Sequence, residues 1–289
     1  MNKIADFHCT YDFSAGISKE AVKDTGLKFP ETHQSWDRMA ELALVLKNFE
    51  GATFCELPFC HTLEGEALGG IINYGDENSG PRTKEYICAT VEELLSLPEI
   101  DYTRGRISEV LQACKYLKEK GEDVILDISG PFTILNVLME TRLIFKFLRK
   151  DPEGIQAVFD KLRLETLRFV EAGRRAGVCM FSYADAAGGL NILGPRLAEQ
   201  VVETYTYPLF KEIEKNLDDG AIFLLCPKTA YALLGTERAV WKDIPLDGPC
   251  RFSEGCKKAI GQAKFVGQMC IKNKGFRLDK GIIKTIELQ

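Results

Sequence analysis

The chain lacks any run of about 18 consecutive apolar residues. Its segment Met1 to Thr10 lacks the basic flank and apolar stretch of a secretion signal, carrying Asp6 and His8 instead. Neither a membrane span nor export is expected, and the expected location is the cytoplasm. Excess positive charge is also missing: 37 Lys and Arg against 42 Asp and Glu leave a net charge of −5, with the basic residues spread along the sequence. Such a distribution offers no electrostatic footprint for a nucleic-acid backbone or an anionic membrane. Internal repeats, low-complexity tracts and Pro- or Ser-rich linkers are absent, so a single domain over 1–289 is expected. The spacing of Cys250 and Cys256, six apart in a polar stretch, is not the C-x2-C of a zinc finger. In a reducing compartment the ten cysteines are expected to be thiols or metal ligands rather than disulfides.

What is present is an ordinary globular composition, 45% apolar and 27% charged, in a chain of 289 residues. That is about what one (β/α)8 barrel needs, typically ~250. From about residue 35, strand-like runs alternate with helical periods, the pattern of βα units around a parallel sheet. Trp36 to Asn48 places Met39, Leu42, Ala43 and Leu46 on one helical face, and Ala52 to Phe59 then reads as a strand. Ser108 to Lys120 reads as a helix and Asp123 to Ile128 as a strand stopped by Gly130-Pro131. Asp151-Pro152 caps a helix running to about Ala176. Strands follow at Val178 to Ala184, Ala221 to Leu225 and Lys264 to Met269, with a closing strand at Lys280 to Leu288. Helices are expected at Pro195 to Leu217, Thr229 to Leu234 and Arg251 to Gln262. The least regular stretch, Gly69 to Arg82, is read as a loop of the kind that covers a site. The fold class is therefore α/β, a TIM-type barrel.

In such a barrel the carboxyl ends of the strands form the active rim. Cys60, Cys226 and Cys270 each close an apolar run, so three soft donors are expected there and a thiolate metal site is implied. His61 could join Cys60 on one metal only if the strand has already ended, because strand neighbours face opposite ways. Asp185, after an apolar run and before a glycine pair, is a carboxylate costly to bury without purpose and is a candidate catalytic group. Glu64 and Glu66 flank Gly65 after Cys60; Glu64 is a second catalytic candidate, and either glutamate could instead be a helix-start carboxylate. Tyr183 and His61 are candidates for binding substrate. His8 and His33 lie in polar segments and are expected at the surface.

The motifs PFCHTLEGEALGG (58–70), SGPFTIL (129–135), DPEGI (151–155), YADAAGG (183–189) and LLCPKT (224–229) together resemble the uroporphyrinogen decarboxylase superfamily, and within it the methylcobamide:coenzyme M methyltransferases. The resemblance runs from about Phe29 to Lys272 and implies a barrel doing tetrapyrrole-related chemistry. The decarboxylase branch carries an arginine-rich amino-terminal motif, and the first 30 residues here contain no arginine. Cys60 stands where that branch has a catalytic aspartate. The methyltransferase branch implies a zinc held by a His-x-Cys pair and a later cysteine; here Leu224-Leu225-Cys226 keeps the cysteine and replaces the histidine with Leu224. The implied activity is methyl transfer between a cobalt corrinoid carried by a separate corrinoid protein and a small-molecule acceptor or donor, with thiolate-bound zinc. The alternatives are a decarboxylase-like lyase using Asp185, and a corrinoid- or tetrapyrrole-binding barrel without catalysis.

Overall fold

The computed structural model describes residues 4–9, 17–76 and 78–289. Contacts divide the chain into two compact units, Asp12–Val178 and Cys179–Gln289 with Met1–Tyr11. We refer to them as the amino-terminal and the carboxy-terminal unit.

The amino-terminal unit opens with α1 (Lys19–Val22) and α2 (Trp36–Glu50), which packs on β1 (Cys55–Leu57). After α3 (Leu63–Ala67) comes a hairpin of β2 (Ile71–Asn73) and β3 (Arg82–Glu85), then α4 (Val91–Ser96), α5 (Gly105–Glu119) and β4 (Val124–Ser129). Three helices close the unit: α6 (Pro131–Leu138), α7 (Thr141–Lys150) and α8 (Pro152–Arg175). β1 and β4 pair in parallel, Cys55 opposite Val124 and Leu57 opposite Leu126. All six residues of β4 are buried, as the unbroken run VILDIS requires of a strand covered on both faces. Asp151 caps α8 as its sequence indicated, accepting from the Gly154 amide at 3.0 Å, with Pro152 at the first helical position.

Two expectations change here. The strand read over Ala52 to Phe59 shrinks to β1, since Pro58 has no amide to donate to a ladder. Cys60 thus lies beyond the strand, where Cys60 and His61 are no longer bound to opposite faces. The stretch Gly69 to Arg82 is not one loop: β2 and β3 pair antiparallel with a register shift between Ile71 and Ile72. Its turn is tied by Asp76, which accepts from the amides of Asn78 (2.7 Å) and Ser79 (3.1 Å).

The carboxy-terminal unit runs β5 (Met180–Ala184), α9 (Leu190–Leu193), α10 (Pro195–Val201), a π-turn Val202–Thr206, α11 (Tyr207–Asn216), β6 (Ile222–Leu225) and α12 (Pro227–Gly235). It continues with β7 (Ala239–Pro245), β8 (Cys250–Arg251), α13 (Phe252–Lys258), β9 (Phe265–Val266), β10 (Arg277–Leu278) and β11 (Ile282–Leu288). β5, β6 and β9 are parallel neighbours, and Phe181, Phe210, Phe223 and Phe265 fill the space over them, with Phe181 stacked on Phe223 at 5.0 Å. The expected helix over Pro195 to Leu217 is three pieces. Pro208 cannot donate to the Thr204 carbonyl, and the Tyr207 amide reaches back five residues to Val202 instead, widening the turn. The helix read over Arg251 to Gln262 is shorter because Arg251 belongs to β8, paired with β10. The closing strand β11 is present but reversed, antiparallel to both β9 and β7, and β7 itself was not read from the sequence.

Candidate functional site

In the amino-terminal unit the carboxyl ends of β1 and β4 carry a hydrogen-bonded network centred on Arg106, whose side chain is only 4% exposed. Its Nη1 donates to Cys60 Sγ (3.0 Å), its Nη2 to Thr62 Oγ1 (2.8 Å) and its Nε to Glu66 Oε2 (2.6 Å). A charged contact between Nη2 and the same Glu66 oxygen reinforces the last. The Thr62 hydroxyl also lies 3.3 Å from Cys60 Sγ. Tyr74 donates to Glu66 Oε1 (2.6 Å), and the guanidinium sits 5.6 Å from the centre of the Tyr74 ring. Burial opposes the Arg106 charge, but the nearby Cys60 and Glu66 outweigh it, so the arginine holds its proton more firmly than usual. Burial and the bond to Glu66 together push the Tyr74 hydroxyl up to about 12.

Arg106 escaped the sequence reading, although a signal was there. Arg106, Val110, Ala113 and Leu117 share the buried face of α5, and a charged residue on a stripe of that kind needs a buried partner. Glu64 is fully buried, 5% exposed, with Oε1 accepting from the Ser129 amide at 2.6 Å. Burial raises its carboxyl above the usual range, and the negative charge of Asp127 adds to the effect. His61 is half-buried directly after Cys60.

His33 requires a correction. It is not at the surface but 2% exposed, packed against Phe29 (ring centres 5.1 Å apart) and Phe59 (6.3 Å). Its Nε2 has no hydrogen-bond partner among the described residues. Burial, helped by the positive charge of Arg106, lowers the imidazole to about 4, so it is neutral at pH 7. Its short polar segment hid two aromatic neighbours, one of them distant in sequence.

In the carboxy-terminal unit, Asp185, Cys226 and the segment reaching Cys270 leave the same carboxyl edge of β5, β6 and β9. The Cys226 amide donates to the Tyr183 carbonyl (2.8 Å), fastening the two strand ends together. The Tyr183 ring is 1% exposed and meets Phe210 edge-on at 5.0 Å. The carboxylate of Asp185 lies over Gly188, where a Cβ would come within 2.3 Å of Oδ2, so any side chain at 188 would displace it. Cys226 immediately precedes α12. Burial pushes its thiol up to about 11, and Cys270 and Cys9 add to the shift, against the opposing pull of the Lys228 amide and ammonium. All ten cysteines are thiols. Among the described residues, no three of His, Cys, Asp or Glu are gathered closely enough to hold a metal ion. The zinc site implied for Cys60, Cys226 and Cys270 is therefore not assembled in this conformation.

A barrel-type α/β fold with carboxylates and thiols at its strand ends defines an enzyme-like scaffold, and comparison with known proteins places it. The chain belongs to the uroporphyrinogen decarboxylase family, whose model matches residues 15–244. It is similar to the methylcobamide:CoM methyltransferase MtaA of Methanosarcina barkeri, 24% identical over 274 residues, covering 93% of this chain and 79% of that protein. It is also similar to the methylcobamide:CoM methyltransferase MtbA of Methanosarcina acetivorans, 25% identical over 227 residues, 76% of this chain and 66% of that one. A solved structure of a methyltransferase from Methanosarcina mazei matches with a TM-score of 0.65 at 21% identity, over 78% of this chain and 66% of its own length. The fold is thus the (β/α)8-type barrel of this family. Its last described strand is reversed in this chain.

Proposed function

We propose that this protein is a corrinoid-dependent methyltransferase, moving a methyl group between a cobalt corrinoid carried by a separate protein and a small-molecule thiol or methylated donor. The observation that carries the proposal is similarity over 93% of the chain to a methylcobamide:CoM methyltransferase, joined to thiols at the carboxyl ends of the strands. In the thiol direction, the acceptor sulfur attacks the methyl carbon in line. The cobalt–carbon bond breaks, its electron pair stays on cobalt, and the thiol proton must be taken up. Asp185 is the group assigned to that proton, held in place over Gly188. Glu64, whose carboxyl is raised above the usual range by burial, is assigned as the acid for the reverse direction, where a leaving oxygen or nitrogen needs a proton. His61, half-buried after Cys60, is assigned to ordering the small molecule, whereas Tyr183, 1% exposed against Phe210, packs the core. Zinc held by Cys226 and Cys270 would favour the deprotonated form of a substrate thiol near neutral pH. Since the described residues do not gather three ligands, no step above depends on it.

The test is to mix the protein with free methylcobalamin and a range of thiols and follow loss of the methyl–cobalt absorption. Protein-dependent demethylation with thioether formation, absent in the Asp185→Asn variant, is expected. Demethylation that proceeds equally without protein, alongside decarboxylation of a small acid by it, would turn the reading to the lyase branch.

A further inference from the structure

Arg106 is buried, but one of the groups it holds is not: Cys60 lies beyond the end of β1, half-buried, with Sγ accepting from Nη1 at 3.0 Å. Glu66 fixes the guanidinium through Nε (2.6 Å), and Tyr74 in turn fixes Glu66 (2.6 Å). A nucleophile, a group that supports it and a third group that orients the second form the general arrangement of an activated side chain. Thiolates, not thiols, attack sulfur electrophiles, and reactive cysteines sit beside a cation in partly exposed surroundings. Cys60 has both the cation and the exposure. By contrast, Cys55, Cys88, Cys114, Cys250 and Cys256 are buried, and Cys226 keeps its proton up to about 11.

A second observation, independent of the sulfur, is at His33. Its Nε2 is buried without a hydrogen-bond partner among the described residues, a costly state that an incoming polar group would relieve. The imidazole packs on Phe59, the residue before Cys60, and feels the charge of Arg106. The nucleophile and the open hydrogen-bonding position thus gather around one guanidinium.

We propose that Cys60 is a covalent modification site that captures small-molecule disulfides by thiol exchange, with Arg106 as its supporting cation and His33 as the hydrogen-bonding partner of the captured molecule. The Cys60 thiolate attacks one sulfur of the disulfide in line. A new sulfur–sulfur bond forms to Cys60, the bond within the small molecule breaks, and its electron pair leaves on the departing sulfur, which takes a proton from solvent. No net oxidation occurs, and an added thiol reverses the step by the same exchange. The captured half carries its polar end to His33 Nε2. No methyl donor takes part, so the site does not rest on the methyltransferase reading.

The experiment treats the purified full chain near neutral pH with hydroxyethyl disulfide or with diethyl disulfide, two probes that differ in the hydroxyl offered to His33. Peptide-resolved mass spectrometry follows the adduct at each cysteine. Cys60 should be modified first, at least about tenfold faster than any other cysteine, and dithiothreitol should remove the adduct. Arg106→Lys, which keeps a charge but not the planar fork, should slow capture at Cys60 by about tenfold. The hydroxyl-bearing probe should react faster than diethyl disulfide in the native chain, and His33→Phe should abolish that preference. Each variant is checked for native circular dichroism; the ranking of cysteines within the native chain needs no variant and decides even if Arg106→Lys does not fold. A faster adduct at another cysteine, an unchanged rate at Cys60 in folded Arg106→Lys, or equal rates for the two probes in the native chain each overturn the site as proposed.

Discussion

Cys60 and Cys226 are the same residue type at the ends of strands, yet they live in opposite electrostatic settings. Cys60 accepts from a buried arginine whose remaining bonds go to Thr62 and Glu66. Cys226 has its proton held up to about 11 by burial, with Cys270 and Cys9 adding to the shift and Lys228 opposing it. A sulfur already engaged by a cation is a poor place for a second cation. The amino-terminal rim is thus a hydrogen-bonded network around a buried cation, whereas at the carboxy-terminal rim the Cys226 thiol keeps its proton.

The largest effect should come from opening the closed network. Arg106→Met leaves Glu66 mostly buried without its cation, and breaking a buried pair in this way costs about 3–5 kcal/mol. Lys228→Met on the other rim, where the ammonium makes one surface bond to Asn191 (3.2 Å), should stay within about 0.5 kcal/mol. Urea unfolding midpoints of the two variants decide, and similar losses would erase the contrast. Next comes acid. His33 binds its proton near 6.5 when unfolded and near 4 when folded, so between those values the unfolded chain holds more protons and stability falls as pH falls. The stabilisation is complete above pH 6.5 and about 3 kcal/mol is lost by pH 4. His33→Phe should flatten that part of the profile; an unchanged slope would return the imidazole to solvent.

A third measurement addresses the thiols themselves. With the Cys226 thiol titrating near 11, its alkylation rate should climb about tenfold per unit between pH 8 and 10, following the thiolate fraction. Peptide-resolved mass spectrometry reads this site by site, and a rate already level at pH 8 would show a thiolate in place of the neutral thiol. The smallest effect is at the edge of the Arg106 network. Tyr74→Phe removes one hydrogen bond to Glu66 and should cost about 1 kcal/mol by urea unfolding.

The alternation of strands and helices, the cap at Asp151-Pro152 and the placement of Cys226 at a strand end could be read in the sequence because each depends on neighbours within a few residues. The burial of Arg106 left a trace on its helix face, but its partners could not be read, since Cys60, Thr62 and Glu66 meet it from 40 to 46 positions away. His33 was misplaced for the same reason: Phe59, which helps bury it, belongs to another segment. β7, in which only Ala239 and Ile244 are buried, has little apolar run of its own and is a strand because β11 lies against it. Where the histidine of the family's motif is replaced by Leu224, the residues alone could show a gap but not what lies near it.

The reversed strand β11 lies between β9 and β7, both of which precede it in the chain. While the polypeptide is being synthesised, its two future neighbours are made first and stand with unpaired edges until residues 282–288 arrive to join them. Such edges recruit strands from other chains. Copies lacking those seven residues are therefore expected to aggregate more readily than the full chain, two edges standing open until one late strand fills the gap.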